Sequence, residues 1–146
     1  MCKNLVFELL VKKSSGDYRK LFSLEGFRVI VEKRNGDELV SEATVKLSIN
    51  GRLVHTVAEG NGPVNALDMA LRKALSDDYP ELEEMHLADY KVRILDTGAG
   101  TEARTRVLIE SRDKTDTWGT VGVSANIIEA SCIALLDAVD YRLNKG

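Results

Sequence analysis

Apolar and polar residues alternate along most of this chain, and the period of the alternation changes in a regular order. "FRVIVEKRNGDE", Phe27–Glu38, puts Phe27, Val29 and Val31 at every second position and breaks at Asn35-Gly36, which predicts a strand running into a tight turn. "EATVKLSING" alternates Ala43, Val45, Leu47 and Ile49 with Thr44, Lys46 and Ser48 and turns at Asn50-Gly51. "RLVHTVAE" alternates Leu53, His55 and Val57, predicting a third strand. The period then becomes helical: Val64, Leu67, Leu71 and Leu75, with Ala66, Ala70 and Ala74, recur at three- and four-residue steps. Upstream, "NLVFELLVKKSSGDYRKLF" carries Leu5, Leu9 and Leu10 on one helical face and is interrupted at Ser14-Ser15-Gly16-Asp17, so it reads as a helical arm or the end of something upstream.

The βββα order then returns. "YKVRILDTGAGTE" lies over "FRVIVEKRNGDE" at an offset of 63, "EARTRVLI" over "EATVKLSI" at 60, and "TVGVSANIIEASCIALLDAV" over "TVAEGNGPVNALDMALRKAL" at 64 without a gap. The four-residue difference is assigned to the hairpin "ESRDKTDTW", where extra length costs little. Six of twenty positions in the last pair are identical, among them Thr56/Thr120, Ala70/Ala134 and Ala74/Ala138, and four of the six share one helical face. An internal duplication follows. The expected fold is α+β, two pseudo-symmetric βββα units at about 27–80 and 88–143 with sheets packed on helices. The alanine-rich helix faces suit close packing, within the chain or against a second subunit.

Composition narrows the function classes. The 146 residues are 44% hydrophobic and 29% charged with a net charge of −3, which is ordinary for a globular domain and offers no basic field for nucleic acid. No apolar run reaches the length of a membrane span, "MCKNLVFELLVKK" lacks the pattern of a secretory leader, and Cys2 and Cys132 make no metal spacing, so a cytoplasmic protein with no membrane partner is expected. His55 and His86 read as structural or surface residues, Cys132 as a buried inert thiol, "DDYPELEE" as a solvated loop and Trp118 as a core or interface anchor.

The chemistry concentrates at the two helix starts. Gly60-Asn61-Gly62-Pro63 precedes the first helix, but no Lys-Ser/Thr pair follows Gly62 and Asn65 stands where a dinucleotide fingerprint needs glycine. Ser124-Ala125-Asn126-Ile127 precedes the second helix at the equivalent position. Helix starts present amides and a partial positive charge to an anion, and glycine lets the backbone approach a small ligand. Val64, Leu67, Ile127 and Ile128 add apolar walls, so a carboxylate with a branched aliphatic tail fits the pattern, and the residues read as a binding module.

The stretch from Phe27 to Tyr141, through "EATVKLSINGRLVHTVAEGNGPVNALDMALRKAL", "LADYKVRILD" and "WGTVGVSANIIEASCIALLDAVDY", resembles the C-terminal regulatory domain of the 2-isopropylmalate synthase and citramalate synthase family. The resemblance implies that residues 1–26 end a linker from a missing catalytic barrel, and that 27–146 form a homodimeric effector-binding domain. The divalent metal, the acetyl-CoA and the condensation with a 2-keto acid would belong to that barrel, and none to this chain. Carried over by motif, the effector-facing positions are Gly60, Asn61, Gly62, Pro63, Val64 and Leu67, then Asp89 and Tyr90, then Val123, Ser124, Ala125, Asn126 and Ile127. The effector is isoleucine if the parent is a citramalate synthase, to which the wording around Asn65 is nearer, and leucine if it is a 2-isopropylmalate synthase. A dimerisation module without an effector is the third reading.

Overall fold

The computed structural model describes residues 2–4, 21–33, 35–36, 38–95 and 104–144. The helical arm expected from Leu5, Leu9 and Leu10 lies outside them. The elements are β1 (Cys2–Asn4), β2 (Phe22–Lys33), β3 (Leu39–Ile49), β4 (Arg52–Gly60), α1 (Pro63–Leu75), a 3₁₀ turn (Pro80–Glu84), β5 (His86–Leu95), β6 (Arg104–Arg112), β7 (Thr117–Ser124) and α2 (Ile127–Asn144). The expected α+β duplication is present: a three-strand antiparallel sheet β2-β3-β4 followed by α1, and β5-β6-β7 followed by α2, with β1 added to β7 in parallel. The chain divides into a first unit, 20–82, and a second unit, 83–146 with 1–19.

Each sheet buries one face against its helix. In the first unit Ala43, Val45, Leu47 and Ile49 are fully buried opposite Ala66, Leu67, Ala70, Leu71 and Leu75. In the second unit Val107 and Ile109 from β6 and Trp118 from β7 meet Ala130, Ala134, Leu135 and Ala138. The conserved spacing of the repeat has a specific job at Thr56 and Thr120. Thr56 Oγ1 donates to the Ala70 carbonyl at 2.8 Å, and Thr120 Oγ1 donates to the Ala134 carbonyl at 2.7 Å. Each hydroxyl ties the last strand to the middle of the following helix and satisfies a donor that would otherwise be buried unpaired.

The register corrects two details of the sequence reading. Val45 faces Thr56 and Ile109 faces Thr120, so β3 and β6 are related by an offset of 64, not the 60 read from "EARTRVLI". The hairpin "ESRDKTDTW" is therefore no longer than its counterpart: Arg112 pairs with Thr117 as Ser48 pairs with Leu53. The first strand keeps its offset of 63, since Phe27 pairs with Val45 and Tyr90 with Ile109, which leaves one extra residue between β5 and β6. A four-residue slip is even, so it leaves every side chain on its original face, and alternation alone could not reveal it.

Strand β2 also begins at Phe22, inside the stretch expected to be linker. A β-bulge between Leu24 and Gly26 shifts the phase by one, so the inward residues are Phe22 and Leu24 before it and Phe27 and Val29 after it. That phase change hid the strand's start. The second unit has its bulge at the equivalent place, between Leu87 and Asp89.

The acidic run is not a plain solvated loop. Asp78 pairs with Arg52 at 2.6 Å, Leu82 is buried, and Arg72 Nη1 donates to the Leu82 carbonyl at 2.9 Å. Helix α1 stops at Leu75, whereas α2 runs to Asn144. Pro80 disfavours helical backbone in the residue before it, and the corresponding stretch of α2 has no proline. The added turns of α2 bring Tyr141 onto Trp118 and Arg142 to within 3.0 Å of Asp113, whose Oδ1 accepts from the amides of Thr115 and Asp116 in the β6–β7 hairpin.

Candidate functional site at the two helix starts

The two helix starts share a backbone plan and differ in how their first amides are satisfied. In the first unit the N-cap is Gly62, Pro63 occupies the first turn, and no side chain caps the helix. Pro63 has no amide of its own, so the exposed donors of this turn are Val64 and Asn65. The Asn65 carboxamide turns back to accept from the Asn61 amide at 3.0 Å. Gly60 is required by that closeness: a Cβ there would lie 2.5 Å from both the Ala66 nitrogen and Asn65 Oδ1. The result is an open helix start with a half-buried Val64 beside it and the positive end of the helix dipole uncompensated, since no acidic residue occupies the first turn.

In the second unit the equivalent amides are already taken. Asn126 Oδ1 accepts from Ile128 at 2.8 Å and from Glu129 at 3.2 Å, while Ser124 Oγ accepts from the Asn126 amide at 3.1 Å and donates to Glu129 at 3.2 Å. The expectation of free amides at both starts therefore holds at Gly62 and fails at Asn126, whose side chain caps the helix while Ser124 takes the Asn126 amide. An asparagine immediately before the helical period, at Asn126, was the readable signal. Replacing Asn126 with alanine is expected to cost about 1 kcal/mol, read as a lower midpoint in urea denaturation.

The remaining predicted positions separate by face. Tyr90 shares a hydrogen bond of 3.0 Å with Ser131, whose hydroxyl also lies 2.8 Å from the Ile127 carbonyl, so Tyr90 braces the first turn of α2. Ser131 is fully buried and was not anticipated from the sequence, where it is one small residue in an alanine-rich helix. Asp89 sits at the bulge, accepting from the Tyr90 amide at 2.9 Å and lying 3.6 Å from Lys91. Ile127 is 42% exposed. Val123 is exposed on the outward side of β7, opposite Arg106, and Leu67 is fully buried in the core.

Ionisation adds little at these positions. Burial, helped by the Glu129 charge, pushes the Cys132 thiol up to about 12, so it stays protonated and unreactive, as its mid-helix place suggested. Burial also raises Asp68, one turn into α1, against the opposing pull of Arg72 at 3.1 Å. Among the described residues no group of three or more His, Cys, Asp or Glu side chains converges as a metal site, and no helix is long and apolar enough to cross a membrane. His55 and His86 lie exposed on strands, opposite Lys46 and Arg112.

Fold and helix starts together define a duplicated βββα domain with one open and one self-capped helix start. Comparison with known proteins gives its family. Residues 3–143 match the LeuA allosteric (dimerisation) domain, and the chain belongs to that family. It is 60% identical over 141 residues to an (R)-citramalate synthase of Geobacter sulfurreducens, covering 96% of this chain and 27% of that protein. It is 55% identical to an (R)-citramalate synthase of Aquifex aeolicus (94% and 26%) and 33% identical to the 2-isopropylmalate synthase of the same organism (87% and 23%). The chain thus spans about a quarter of the length of the curated relatives it matches.

Proposed function

We propose that this chain is the effector-binding, homodimeric regulatory domain of a citramalate synthase-like acyltransferase, and that its effector is isoleucine. The observation that carries the reading is the open start of α1, where Gly60 brings the backbone close and the Val64 and Asn65 amides lack a side-chain cap. A carboxylate there gains charge-assisted hydrogen bonds and the helix dipole. The half-buried Val64 beside these amides supplies apolar surface for the aliphatic tail. Two aspects of the surroundings support isoleucine over leucine: the higher identity to citramalate synthases than to a 2-isopropylmalate synthase, and Asn65 at the first turn. In the parent enzyme, a cytoplasmic protein on this reading, acetyl-CoA and a divalent metal would be held outside these residues. Bound isoleucine would favour the domain arrangement in which the condensation is slow, which requires that it bind that arrangement more tightly than the active one.

Calorimetric titration with isoleucine, leucine and valine tests this reading. Isoleucine is expected to bind about tenfold or more tighter than the others, the discrimination a misplaced methyl group provides. Asn61→Trp, at an exposed position beside the open helix start, should abolish binding with the far-UV circular dichroism unchanged. No heat with any of the three amino acids from a dimeric preparation would overturn the effector assignment and leave a dimerisation module.

A further inference from the structure

The side of the second sheet turned away from α2 gathers cations on two neighbouring strands. Val107 and Ile109 of β6 are buried against α2, so Arg106 and Leu108 point outward, and their cross-strand partners on β5 are Arg93 and Lys91. Arg93 and Arg106 stand directly opposite each other, a placement that sets the two Cβ atoms about 5 Å apart. Neither guanidinium makes a hydrogen bond or ion pair among the described residues, and Lys91 reaches Asp89 at 3.6 Å. A groove of about 580 Å³ along these strands is lined by Lys91, Val92, Arg93, Arg106, Leu108 and Val121.

The duplicated scaffold does not require this arrangement. By the same cross-strand pairs, the first-unit equivalents of Lys91, Arg93 and Arg106 are Arg28, Ile30 and Glu42. There an isoleucine faces a glutamate, and the sheet forms without opposed cations. In the second unit the opposed arginines destabilise the sheet, as like charges directly across a strand pair do. The chain as a whole carries a net charge of −3, so a basic composition does not account for them either. An anion seated between the two guanidiniums would turn that repulsion into charge-assisted hydrogen bonds.

We propose that this groove binds the diphosphate of a small organic molecule, held by Arg93 and Arg106 with Lys91 beside them. A guanidinium is a planar fork that meets phosphate oxygens two at a time. Two forks facing each other across a strand pair address two linked phosphates, and the Lys91 ammonium adds a point charge two residues along β5. The rest of the lining suits the body of such a molecule: Val92 and Leu108 are 41% and 37% exposed, and Val121 lies between strand and groove rim, half-buried. The groove's volume falls within the roughly 300–1,000 Å³ of small-ligand pockets. A long polyanion such as nucleic acid would meet the net negative charge of the rest of the chain. The site uses no helix-start amide, so it stands independently of the effector reading.

Calorimetric titration of the whole chain with pyrophosphate, orthophosphate, sulfate and adenosine diphosphate, all at one ionic strength, tests this. Pyrophosphate is expected to bind about tenfold or more tightly than orthophosphate or sulfate, and adenosine diphosphate more tightly again, because its body can lie on Leu108 and Val121. Arg93→Gln with Arg106→Gln should abolish pyrophosphate binding. The same double variant should melt no lower than the wild type without ligand, since it removes the opposed charges, and that melt also shows that it folds. Arg106→Lys, which keeps the charge and loses the fork, should weaken binding about tenfold. Arg28→Gln, at the equivalent of Lys91 in the first unit, should leave binding unchanged. Equal affinity for the three inorganic anions would overturn the proposal, as general surface attraction explains it. Pyrophosphate binding that persists in the double variant, or that Arg28→Gln weakens as much, would overturn the assigned groove. Adenosine diphosphate binding no tighter than pyrophosphate would overturn the organic part of the ligand.

Discussion

Trp118→Ala is expected to lower the stability of the second unit by about 4 kcal/mol, within the range found for removing a buried large aromatic side chain. Trp118 is fully buried, its ring centroid lies 5.1 Å from that of Tyr141 at an interplanar angle of 44°, and its Nε1 donates to the Ala138 carbonyl at 3.3 Å. The residue directly across from it on β6 is Ser111, which is too small to collapse into the space. The repeat explains the pairing. In the first unit the equivalent positions are Val54 and Leu47, so volume has been moved across the strand pair from one member to the other. Exchange of volume between facing core positions is tolerated where its loss is not. Trp118→Val combined with Ser111→Leu, which reproduces the first unit, should recover a substantial part of the loss. It also removes the buried Ser111 hydroxyl, which has no hydrogen-bond partner among the described residues. Thermal denaturation followed by far-UV circular dichroism reads the effect. The single variant should melt about 12 °C lower for a chain of this size. A decrease under about 3 °C would show that Trp118 is not a core residue.

Gly122→Ala is expected to cost about 3 kcal/mol, although it adds one methyl group. A Cβ at Gly122 would overlap the Ala130 carbonyl and would lie 2.9 Å from its carbon and 3.1 Å from the Ala134 nitrogen. All three atoms are helix backbone, so no rotamer change can relieve the contact, and α2 would have to move away from β7. The first unit has Ala58 at the equivalent position, and its helix accommodates that methyl. The absent Cβ thus sets α2 closer to its sheet than α1. Urea denaturation measures the loss. The displacement should also disturb the Asn126 cap, which the amide exchange of Ile128 and Glu129 would report as faster. Wild-type stability in Gly122→Ala would mean that the close approach is absent.

Much of the fold was legible because its causes are local. Alternation ended by Asn50-Gly51 is a hairpin wherever it occurs; Asn50 and Gly51 adopt φ of 53° and 78°, the left-handed conformations such a tight turn demands. The helix faces were legible because alanine and leucine recur at the helical period, and the residues that recur are those found buried. The register of the middle strand was not legible. A pattern of period two is unchanged by an even slip, and only the hydrogen-bonded partners of Val45 and Ile109 distinguish an offset of 64 from one of 60. The start of β2 at Phe22 was hidden by a bulge, which inverts the phase on which the pattern depends.

The same division runs through the site. That Gly60–Val64 and Ser124–Ile127 are paired helix starts follows from the sequence, because small polar residues, proline at the first turn and a change of period define a helix start locally. Which start is open was a matter of where side chains turn. Asn126 caps its own helix, whereas Gly62 has no side chain and Asn65 turns back to Asn61. Likewise, the change from Glu42 to Arg106 is present in the letters, but the register is needed to make the positions equivalent. The sequence by itself determined the duplication, the element order and the core faces, since each depends on contacts between near neighbours. The tertiary structure decided register, helix-to-sheet distance and the fate of the first-turn amides. Those depend on pairings between residues far apart in the chain, and a periodic pattern cannot encode them.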